Sequence, residues 1–474
     1  MKVDFAKLDR AFSPKCVVVV GDSVRNEFNW LKAQKEFKGK LYSVQVNPET
    51  IKQIEAMGVK NYTSLLDIPD QIDLVIVSVP RVAAMKILED CIRKDVGAVH
   101  FFTSGFAETD TEEGRQLERQ FVARATEANL HVIGPNCMGV FNPKVGVKQT
   151  ENLYSGVSGP VGCIAQSGTH AIAFASQAHL EGVNVAKSVS FGNGIVLDSP
   201  DYLEYFAHDP EIKVIAMYLE GVRDGPRFLR VLKNVTAQKP VVIWKGGRTE
   251  EGGRAIASHT GSLAVSRAIW DTAVKQCGAI GVRNIEELID TTKALVFLPP
   301  VRGLRVGIAG GSGGQSVAIA DVFAEAGLKV PTLSPESYKE LSSFFSLIGG
   351  SYRNPVDTGN PNQDQMRRIM EILERDANLD NLALLMTARW IKDDQLDAQV
   401  KMLTELRQKT DKPIIMIVFY HTPEDMQKAI KIAERFQAGG VPAFSSMERG
   451  ARTLKNAFEY YQMKKSVELE RRYL

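Results

Sequence analysis

The run CVVVVGDS at residues 16–23 decides the fold. Five consecutive apolar residues suit a strand buried on both faces, and the Gly-Asp-Ser turn after them leads into a helical pattern. The same arrangement recurs in DLVIVSVP at 73–80, AVHFFTSGF at 98–106 and HVIGPN at 131–136. Short buried strands that alternate with helices are typical of a parallel, doubly wound sheet.

The strand-turn-helix pattern then restarts twice along the chain. The second series is VGCIAQSG at 161–168, AKSVSFGN at 186–193, VIAMYLEG at 214–221 and PVVIWKGG at 240–247. The third follows Pro299-Pro300 and is LRVGIAGGSGG at 304–314, LALLMTAR at 382–389 and KPIIMIVFY at 412–420. The sequence therefore predicts an α/β protein with three doubly wound parallel-sheet domains, at residues 1–148, 149–298 and 299–474.

Charge and composition exclude several classes of protein. The 474 residues include 58 basic and 56 acidic side chains, a formal charge of +2, with 44% hydrophobic and 24% charged residues. This balance is that of an ordinary globular chain and does not support nucleic-acid binding, which usually needs a basic face. No apolar run approaches the roughly 18 residues of a membrane span, and the N-terminal MKVDFAKLDR does not resemble a signal peptide. We therefore expect a cytoplasmic protein.

The cysteines are far apart and include no CxxC pair, so we expect reduced, mostly buried thiols and no metal site. They are Cys16, Cys91, Cys137, Cys163 and Cys277.

Two small-residue loops have the chemistry of an anion site, because each follows a predicted strand and opens a predicted helix. Helix N-termini carry unpaired N–H donors and about half a positive charge. The first loop is Gln166, Ser167, Gly168 and Thr169, in which Ser167 either binds an oxyanion or only caps the helix. The second is Gly310, Gly311, Ser312, Gly313 and Gly314, which is not a Walker A loop because no GK[ST] follows.

The loop after the first strand is a weaker signal. Gly21, Asp22 and Ser23 follow a strand, as in nucleotide-binding turns, but GxGxxG is absent. Asp22 would also place a negative charge where a phosphate would sit. The interpretation of the chain as a Rossmann-type oxidoreductase therefore rests on the βα pattern alone.

His259 is the strongest candidate for covalent chemistry. It lies in the polar, glycine-rich stretch 252–264, which we expect to be a mobile loop after the strand PVVIWKGG. A neutral imidazole is available near pH 7 and can attack phosphorus if its second nitrogen has a partner. Glu220, at the end of the strand VIAMYLE, is the expected partner. The alternative is an exposed, idle side chain.

The other histidines show no ligand spacing and are expected to be structural, although His170 adjoins the loop at Ser167. They are His100, His131, His170, His179, His208 and His421.

Seven motifs together resemble the NDP-forming acyl-CoA synthetases, the acetate–CoA ligase (ADP-forming) branch of the succinyl-CoA synthetase superfamily. The resemblance runs over essentially the whole chain, and YLEGV with SHTGSLA is its most specific part. The motifs are SGFAET at 104–109, IGPNCMGVFN at 133–142, AQSGT at 165–169, SFGN at 190–193, YLEGVRDG at 218–225, ASHTGSLA at 257–264 and NPVDTGN at 354–360.

The resemblance implies a role for each domain. The first would be a Rossmann-like CoA-binding domain, and the others would be flavodoxin-like ligase domains. His259 would be phosphorylated during turnover and oriented by Glu220, with the helix N-termini at 166–169 and 310–314 around the phosphate. CoA would contact the loops formed by Gly21, Asp22, Ser23, Val79, Pro80, Arg81, Thr103, Ser104, Gly105 and Phe106, with Asn136 nearby.

The resemblance also implies a reaction and a partner. Phosphate would displace CoA from an acyl-CoA, and His259 would pass the phosphoryl group of the acyl phosphate to ADP. None of these motifs belongs to the ATP-grasp domain, which in this family binds ADP or ATP with Mg. The chain would therefore be the alpha subunit of an α2β2 enzyme that acts on a small carboxylic acid.

Two departures from the family pattern keep a second function open. The first loop lacks the later glycines of the family, and Val265 stands where a glycine usually follows SHTGSLA. The altered loop supports a non-catalytic CoA or acyl-CoA sensor as the alternative, whereas the intact SHTGSLA supports the enzyme.

Overall fold

The computed structural model describes residues 3–260, 267–310, 315–344, 353–358, 362–389 and 391–473, without the side chains of 256–260 and 467–473. The chain divides into two compact units, Met1–Ile285 and Glu286–Leu474. The first contains two six-stranded sheets and the second a four-stranded sheet. The α/β class predicted from the sequence is confirmed.

The first sheet is wholly parallel, in the order β3-β2-β1-β4-β5-β6, which is the strand order of the doubly wound dinucleotide-binding fold. All five residues of β1 are buried, as its unbroken apolar run predicts. The strands are β1 Cys16–Val20, β2 Lys40–Val44, β3 Lys60–Tyr62, β4 Leu74–Val77, β5 Ala98–Phe101 and β6 Val132–Ile133. The α-helices are α1 Phe5–Phe12, α2 Asn29–Ala33, α3 Pro48–Ala56, α4 Ala84–Lys94 and α5 Glu112–Glu127. Short 3-10 helices lie at Val24–Asn26, Leu65–Asp67, Arg81–Ala83 and Ala107–Thr109.

The second sheet has the order β12-β11-β10-β8-β9-β7. Its edge strand β7 runs antiparallel to β9, the one departure from the parallel pattern among the described strand pairs. The strands are β7 Gly139–Phe141, β8 Val161–Ala165, β9 Val185–Ser190, β10 Val214–Leu219, β11 Val241–Lys245 and β12 Ile280–Val282. The helices are α6 Gly168–Leu180, α7 Ser199–His208, α8 Gly225–Thr236, α9 Glu250–Thr260 and α10 Arg267–Gln276. Strand β7 precedes residue 148 but already belongs to the second sheet. The predicted domain boundary at residue 148 stays a prediction.

One hydrophobic core joins the first two sheets. Phe12 of α1 is wholly buried and packs on Tyr205 and edge-on against Phe206 of α7, with ring centroids 5.1 and 5.5 Å apart. Since α1 precedes the first sheet and α7 belongs to the second, these rings bind the two sheets together. Shared burial of this kind explains why residues 1–285 form one compact unit.

Replacing Phe12 by alanine should destabilise the first unit by about 3–5 kcal/mol, because it removes a fully buried ring and leaves a cavity between the sheets. Denaturant unfolding monitored by tryptophan fluorescence would measure the loss. The matched control is the exposed Phe102, whose alanine variant should change the free energy of unfolding far less. Equal losses for the two variants would contradict a role for Phe12 in joining the sheets.

A buried histidine makes the first unit sensitive to acid. The Nε2 of His100 in β5 lies 2.8 Å from the main-chain oxygen of Cys137, and burial lowers the pKa of His100 to about 4. In the unfolded chain His100 gains a proton near pH 6.5, whereas in the folded chain it does so only near pH 4. The unfolding free energy should therefore fall as the pH drops through this window, by about 1.5 kcal/mol between about pH 6.5 and 5. Urea titrations of the natural chain and His100→Gln at both pH values would check this, since only the natural chain should lose that increment.

The second unit contains a parallel sheet in the order β13-β14-β15-β16. Its strands are β13 Val306–Ala309, β14 Asn381–Thr387, β15 Ile414–Phe419 and β16 Ala443–Phe444. Its helices are α11 Ile285–Phe297, α12 Ser316–Glu325, α13 Pro335–Phe344, α14 Gln363–Arg375, α15 Asp393–Lys409, α16 Pro423–Ala438 and α17 Met447–Tyr473.

Helix α11 belongs to the second unit, although it precedes the predicted domain start at residue 299. Arg449 of α17 makes a bidentate ion pair with the buried Asp290 of α11, with both N–O distances 2.6 Å. The ammonium group of the wholly buried Lys293 donates to the main-chain oxygen of Ala443 at 2.9 Å. These polar contacts anchor α11 to the last sheet, while the predicted boundary itself stays a prediction.

Two further sequence expectations concern the membrane and the cysteines. Within the described parts of the chain, no helix combines the length and the apolar character that crossing a bilayer requires. All five cysteines are free and buried, and burial is what the sequence predicted for most of them.

Candidate functional site

The turn between β8 and α6 forms the centre of the site, at the carboxyl edge of the second sheet. Ser167 is the N-cap of α6, and its hydroxyl accepts the N–H of His170 at 3.4 Å. The side-chain oxygen of the buried Gln166 accepts the N–H groups of Glu220 and Gly221 at 2.8 and 3.0 Å. Gln166 thus ties the α6 terminus to the end of β10. Its side-chain oxygen is therefore occupied by these two bonds.

Gly168 begins α6 where there is no room for a side chain. A Cβ at this position would press against the side chain of Met138, which follows β6. Thr169 is exposed at the same terminus. Close packing against Met138 therefore explains the glycine at the start of α6.

An aromatic cluster lines one side of this terminus. The His170 ring stacks on Tyr218 with ring centroids 4.0 Å apart and meets the edge of Trp244 at 4.7 Å. Its Nδ1 lies 3.0 Å from the Ser167 hydroxyl, so the histidine and the cap serine are directly linked. Burial lowers the pKa of His170, opposed by the negative charge of Glu220. A neutral His170 suits a helix N-terminus, where a second positive charge would be unfavourable.

Glu220 is buried at the end of β10, beside this cluster. The Tyr218 hydroxyl donates to Glu220 Oε1 at 3.3 Å. The ammonium group of Lys245, at the end of the neighbouring strand β11, donates to the main-chain oxygens of Glu220 and Gly246 at 2.7 Å each. Burial lowers the pKa of Lys245, and the charge of Glu220 opposes that shift. A residue with a carboxylate and a residue with a cation are thus neighbours at the strand ends, next to the α6 terminus, joined through the main-chain oxygen of Glu220.

Sequence reasoning missed Lys245 and Trp244. Their position at the end of PVVIWKGG was visible, but only the strand register shows that Tyr218 pairs with Trp244 and Leu219 with Lys245. The available signal was a charged residue in an otherwise apolar strand, directly before two glycines.

His259 lies on helix α9, which follows β11 and extends from Glu250 to Thr260. The expectation of a mobile loop is therefore wrong for the backbone up to Thr260. The side chain of His259 and residues 261–266, which include Val265, lie outside the described residues. Helix α9 packs against the 3-10 helix Ala107–Thr109 of the first sheet.

Gly310 follows β13 in the second unit with φ of +100°, and its N–H donates to the Val356 main-chain oxygen at 3.2 Å. A side chain there would collide with the main-chain oxygen of Leu385, which explains the glycine. Gly311, Ser312, Gly313 and Gly314 lie outside the described residues, so the second phosphate-binding terminus stays a prediction.

In the loop after β1, the Asp22 side chain lies elsewhere than expected. Gly21 has φ of +83°, and a Cβ there would lie 2.8 Å from the main-chain oxygen of Ser78. The Asp22 carboxylate is wholly buried and accepts the N–H groups of Ser23 and Leu31 at 3.1 and 2.9 Å. Burial raises the pKa of Asp22. The expectation that this charge faces a bound phosphate is wrong, because the carboxylate points inward and binds the start of α2.

The loops after β4 and β5 lie side by side at the same edge. The Thr103 hydroxyl donates to the Val79 main-chain oxygen at 2.8 Å, and Arg81 Nη1 donates to that of Gly105 at 3.3 Å. Pro80, Arg81 and Ser104 are exposed. Asn136, with φ of +57°, donates its N–H to the Thr103 oxygen at 3.1 Å. These predicted ligand loops are therefore brought together.

Phe106 is a correction to the predicted contact set. Its side chain is wholly buried and packs edge-on against Phe121, with ring centroids 5.3 Å apart. Its ring belongs to the hydrophobic core of the first sheet, so only its backbone could contact a ligand.

An apolar surface near these loops was not found from the sequence. It consists of one exposed side chain after each of β1, β2, β4 and β5, which are Val24, Val46, Val82 and Phe102. Val82 is the most exposed of the four, at 88%. Together with Arg81 the surface offers apolar contact and a cation at one edge of the sheet.

Comparison with known proteins agrees with this architecture. Residues 15–143 match the CoA binding domain family, and residues 158–295 match the succinyl-CoA ligase like flavodoxin domain family. The chain is 33% identical to the acetate–CoA ligase [ADP-forming] II subunit alpha of Pyrococcus furiosus, over 97% of this chain and 98% of that one. It is 36% identical to acetate–CoA ligase [ADP-forming] I of Archaeoglobus fulgidus and spans 55% of that longer protein's length.

Solved structures agree as well. The dinucleotide-forming acetyl-coenzyme A synthetase 1 of Ca. Korarchaeum cryptofilum, in complex with phosphate and ADP, superimposes with a TM-score of 0.84 at 30% identity, over 98% of both chains. A Pyrococcus horikoshii protein superimposes with a TM-score of 0.81 at 30% identity, over 96% of this chain and 99% of that one.

A CoA-binding sheet joined to a ligase-type flavodoxin sheet defines the class as CoA ligases of the succinyl-CoA ligase type. Within that class the chain belongs to the family of ADP-forming acetate–CoA ligase alpha subunits. The Pyrococcus furiosus, Archaeoglobus fulgidus and Ca. Korarchaeum cryptofilum relatives carry the names of ligases and a synthetase, so they favour the enzyme over the regulatory alternative.

Proposed function

We propose that this chain is the alpha subunit of an NDP-forming acyl-CoA synthetase, which interconverts acyl-CoA, ADP and phosphate with acid, CoA and ATP. The reaction would pass through an acyl phosphate and a phosphohistidine at His259. The observation that carries the proposal is the α6 terminus, where Ser167, Glu220 and Lys245 lie together at the carboxyl edge of the second sheet. This terminus lies on the side of the sheet from which helix α9 follows β11.

The α6 terminus would hold the phosphate. Its first N–H groups and the positive end of the helix dipole attract an oxyanion. A phosphate oxygen would then attack the acyl carbon of the thioester. The C–S bond breaks, and the proton of hydrogen phosphate passes to the departing thiolate of CoA. The donors at the terminus stabilise the charge that develops during this displacement.

His259 would then take the phosphoryl group from the acyl phosphate, which releases the free acid. Attack requires a lone pair on one imidazole nitrogen and a proton on the other, so a carboxylate partner fixes the reactive tautomer. Glu220 is the proposed partner. The Tyr218 hydroxyl restrains its Oε1, and Lys245 holds its main-chain oxygen, so the carboxylate is set in position before His259 arrives.

CoA would bind at the carboxyl edge of the first sheet. The exposed Val24, Val82 and Phe102 offer apolar contact, and Arg81 offers a cation for a phosphate of CoA. Gly21, Ser23, Val79, Pro80, Ser104 and Asn136 would supply backbone contacts. Asp22 would act from within by shaping the loop.

A second subunit would complete the cycle. The sequence has no Walker A loop, and the P. furiosus relative is named a subunit alpha. We propose an ATP-grasp beta subunit that binds ADP or ATP with Mg and receives the phosphoryl group from His259, in a cytoplasmic α2β2 assembly. The acyl group would be that of a small carboxylic acid.

The proposal is tested by incubating the purified chain with acetyl [³²P]phosphate, which needs no second subunit. The protein should acquire label that is lost in acid and retained in alkali, and mass spectrometry should place it on the peptide containing His259. Unlabelled protein, or label confined to another peptide, would refute the proposed function.

A further inference from the structure

The 3-10 helix Ala107–Thr109 joins the CoA loop to the second sheet through the carboxylate of Glu108. Its Oε1 accepts the Gly105 N–H at 2.6 Å, and its Oε2 accepts the Phe106 N–H at 3.1 Å. The same Oε2 accepts the side-chain amide of Asn193 at 2.7 Å. A single carboxylate therefore shapes the loop after β5 and ties it to the loop after β9.

Asn193 continues this connection to the α6 terminus. It is 6% exposed, and its backbone N–H donates to the Pro135 main-chain oxygen at 3.0 Å. The preceding residue, Gly192, donates its N–H to the main-chain oxygen of Gln166 at 3.1 Å. Because Gln166 starts the turn that leads into α6, a short chain of hydrogen bonds links Glu108 to the proposed phosphate site.

A second pair of contacts braces the same junction. Arg223 donates from Nε to the Asn193 main-chain oxygen at 3.1 Å and from Nη2 to Glu118 Oε1 at 3.2 Å. Glu118 Oε2 in turn accepts the Ala107 N–H at 3.3 Å. The N–H groups of residues 105–107 are thus all bound by carboxylates of this chain. They hold the loop in shape and do not face a phosphate of CoA.

We propose that Glu108, acting with Asn193, is a positioning residue that sets the distance between the thioester of bound acyl-CoA and the phosphate at α6. This inference rests on the proposed function. The carboxylate forms no bond to substrate and moves no proton. It holds the loop at 104–107 against the loop after β9, which is hydrogen-bonded to Gln166. The phosphate oxygen can then reach the acyl carbon as the C–S bond breaks.

The position of Glu108 predicts a selective effect on the two half-reactions. Acyl transfer between CoA and phosphate requires both loops, and a misplacement of about 1 Å can slow such a step about 100-fold. Phosphoryl transfer from an acyl phosphate to His259 requires no thioester. Loss of the Glu108 contacts should therefore slow acyl transfer and spare labelling of the protein.

The test compares Glu108→Gln, Asn193→Ala and the double variant of the full chain with Glu113→Gln, a matched change at an exposed glutamate of α5. Acetyl-CoA formation from acetyl phosphate and CoA measures acyl transfer, and acetyl [³²P]phosphate measures labelling. Each single variant should lower kcat for acetyl-CoA formation by about 20- to 100-fold, with little change in the KM for CoA or in labelling. The double variant should be no slower than the slower single one, because each change breaks the contact between Glu108 and Asn193 on which the positioning depends.

Three results would overturn the inference. Acetyl-CoA formation within about twofold of the natural chain in Glu108→Gln would show that the carboxylate sets no distance. Equal loss of labelling and acetyl transfer would indicate a general structural role, and multiplicative losses in the double variant would show that Glu108 and Asn193 act apart. If the natural chain performs neither half-reaction, the proposed function itself fails, and this inference fails with it.

Discussion

Replacing His259 by alanine should abolish labelling from acetyl phosphate and reduce net ATP formation with a beta subunit by at least about 1,000-fold. The covalent step has no substitute, because alanine offers no nucleophile and removal of a nucleophile leaves only the acceleration due to binding. Acetyl-CoA formation from acetyl phosphate and CoA should persist, since that half-reaction does not pass through the imidazole. Radiolabelling and a coupled ATP assay would measure the two losses.

The matched control is His421→Ala, at an exposed histidine of the second unit. This variant should label and turn over like the natural chain. Retention of label in His259→Ala would assign the phosphoryl group to another residue and contradict the proposed mechanism.

Replacing Glu220 by glutamine should slow phosphoryl transfer to His259 by about 100- to 10,000-fold. An amide has nearly the same shape but cannot hold the reactive tautomer through a negatively charged acceptor, and removing the orienting carboxylate of a catalytic histidine has effects of this size. The substitution would also replace the negative charge near Lys245 with a neutral amide. The rate of label incorporation from acetyl [³²P]phosphate is the measurement.

Tyr218→Phe separates orientation from charge. It removes the hydroxyl that donates to Glu220 Oε1 and keeps the ring that stacks on His170. We expect a loss of about tenfold, well below that of Glu220→Gln. A normal labelling rate in Glu220→Gln would remove the carboxylate from the mechanism.

The fold was predictable where local chemistry and tertiary burial agree. Strand β1 is apolar at every position, and the structure buries all five residues within a parallel sheet. Ser167 was recognised as a possible cap, and it does cap α6. Antiparallel β7 and the place of α11 were not predicted, because pairing partners are chosen by contacts between distant segments.

Parts of the site were predictable to the level of the loop. The sequence placed Gln166–Thr169 and Glu220 at strand ends, and parallel strands bring such ends to one edge. The directions of the side chains were not accessible. Asp22 and Phe106 lie in loops of the predicted kind, yet both side chains are wholly buried. Nothing in a run of residues distinguishes an inward carboxylate from one that faces a ligand.

The sequence by itself therefore indicated most of the strands, the turns after them and the residues proposed to carry phosphoryl chemistry, because buried strands, helix caps and nucleophiles are local choices. Only the tertiary structure decided which of these residues meet. It sets Lys245 beside Glu220 through the register of β10 and β11, and it binds Glu108 to Asn193 across 85 residues of chain. The physical reason is that such contacts depend on strand pairing and on packing between segments distant in sequence, which no local pattern encodes.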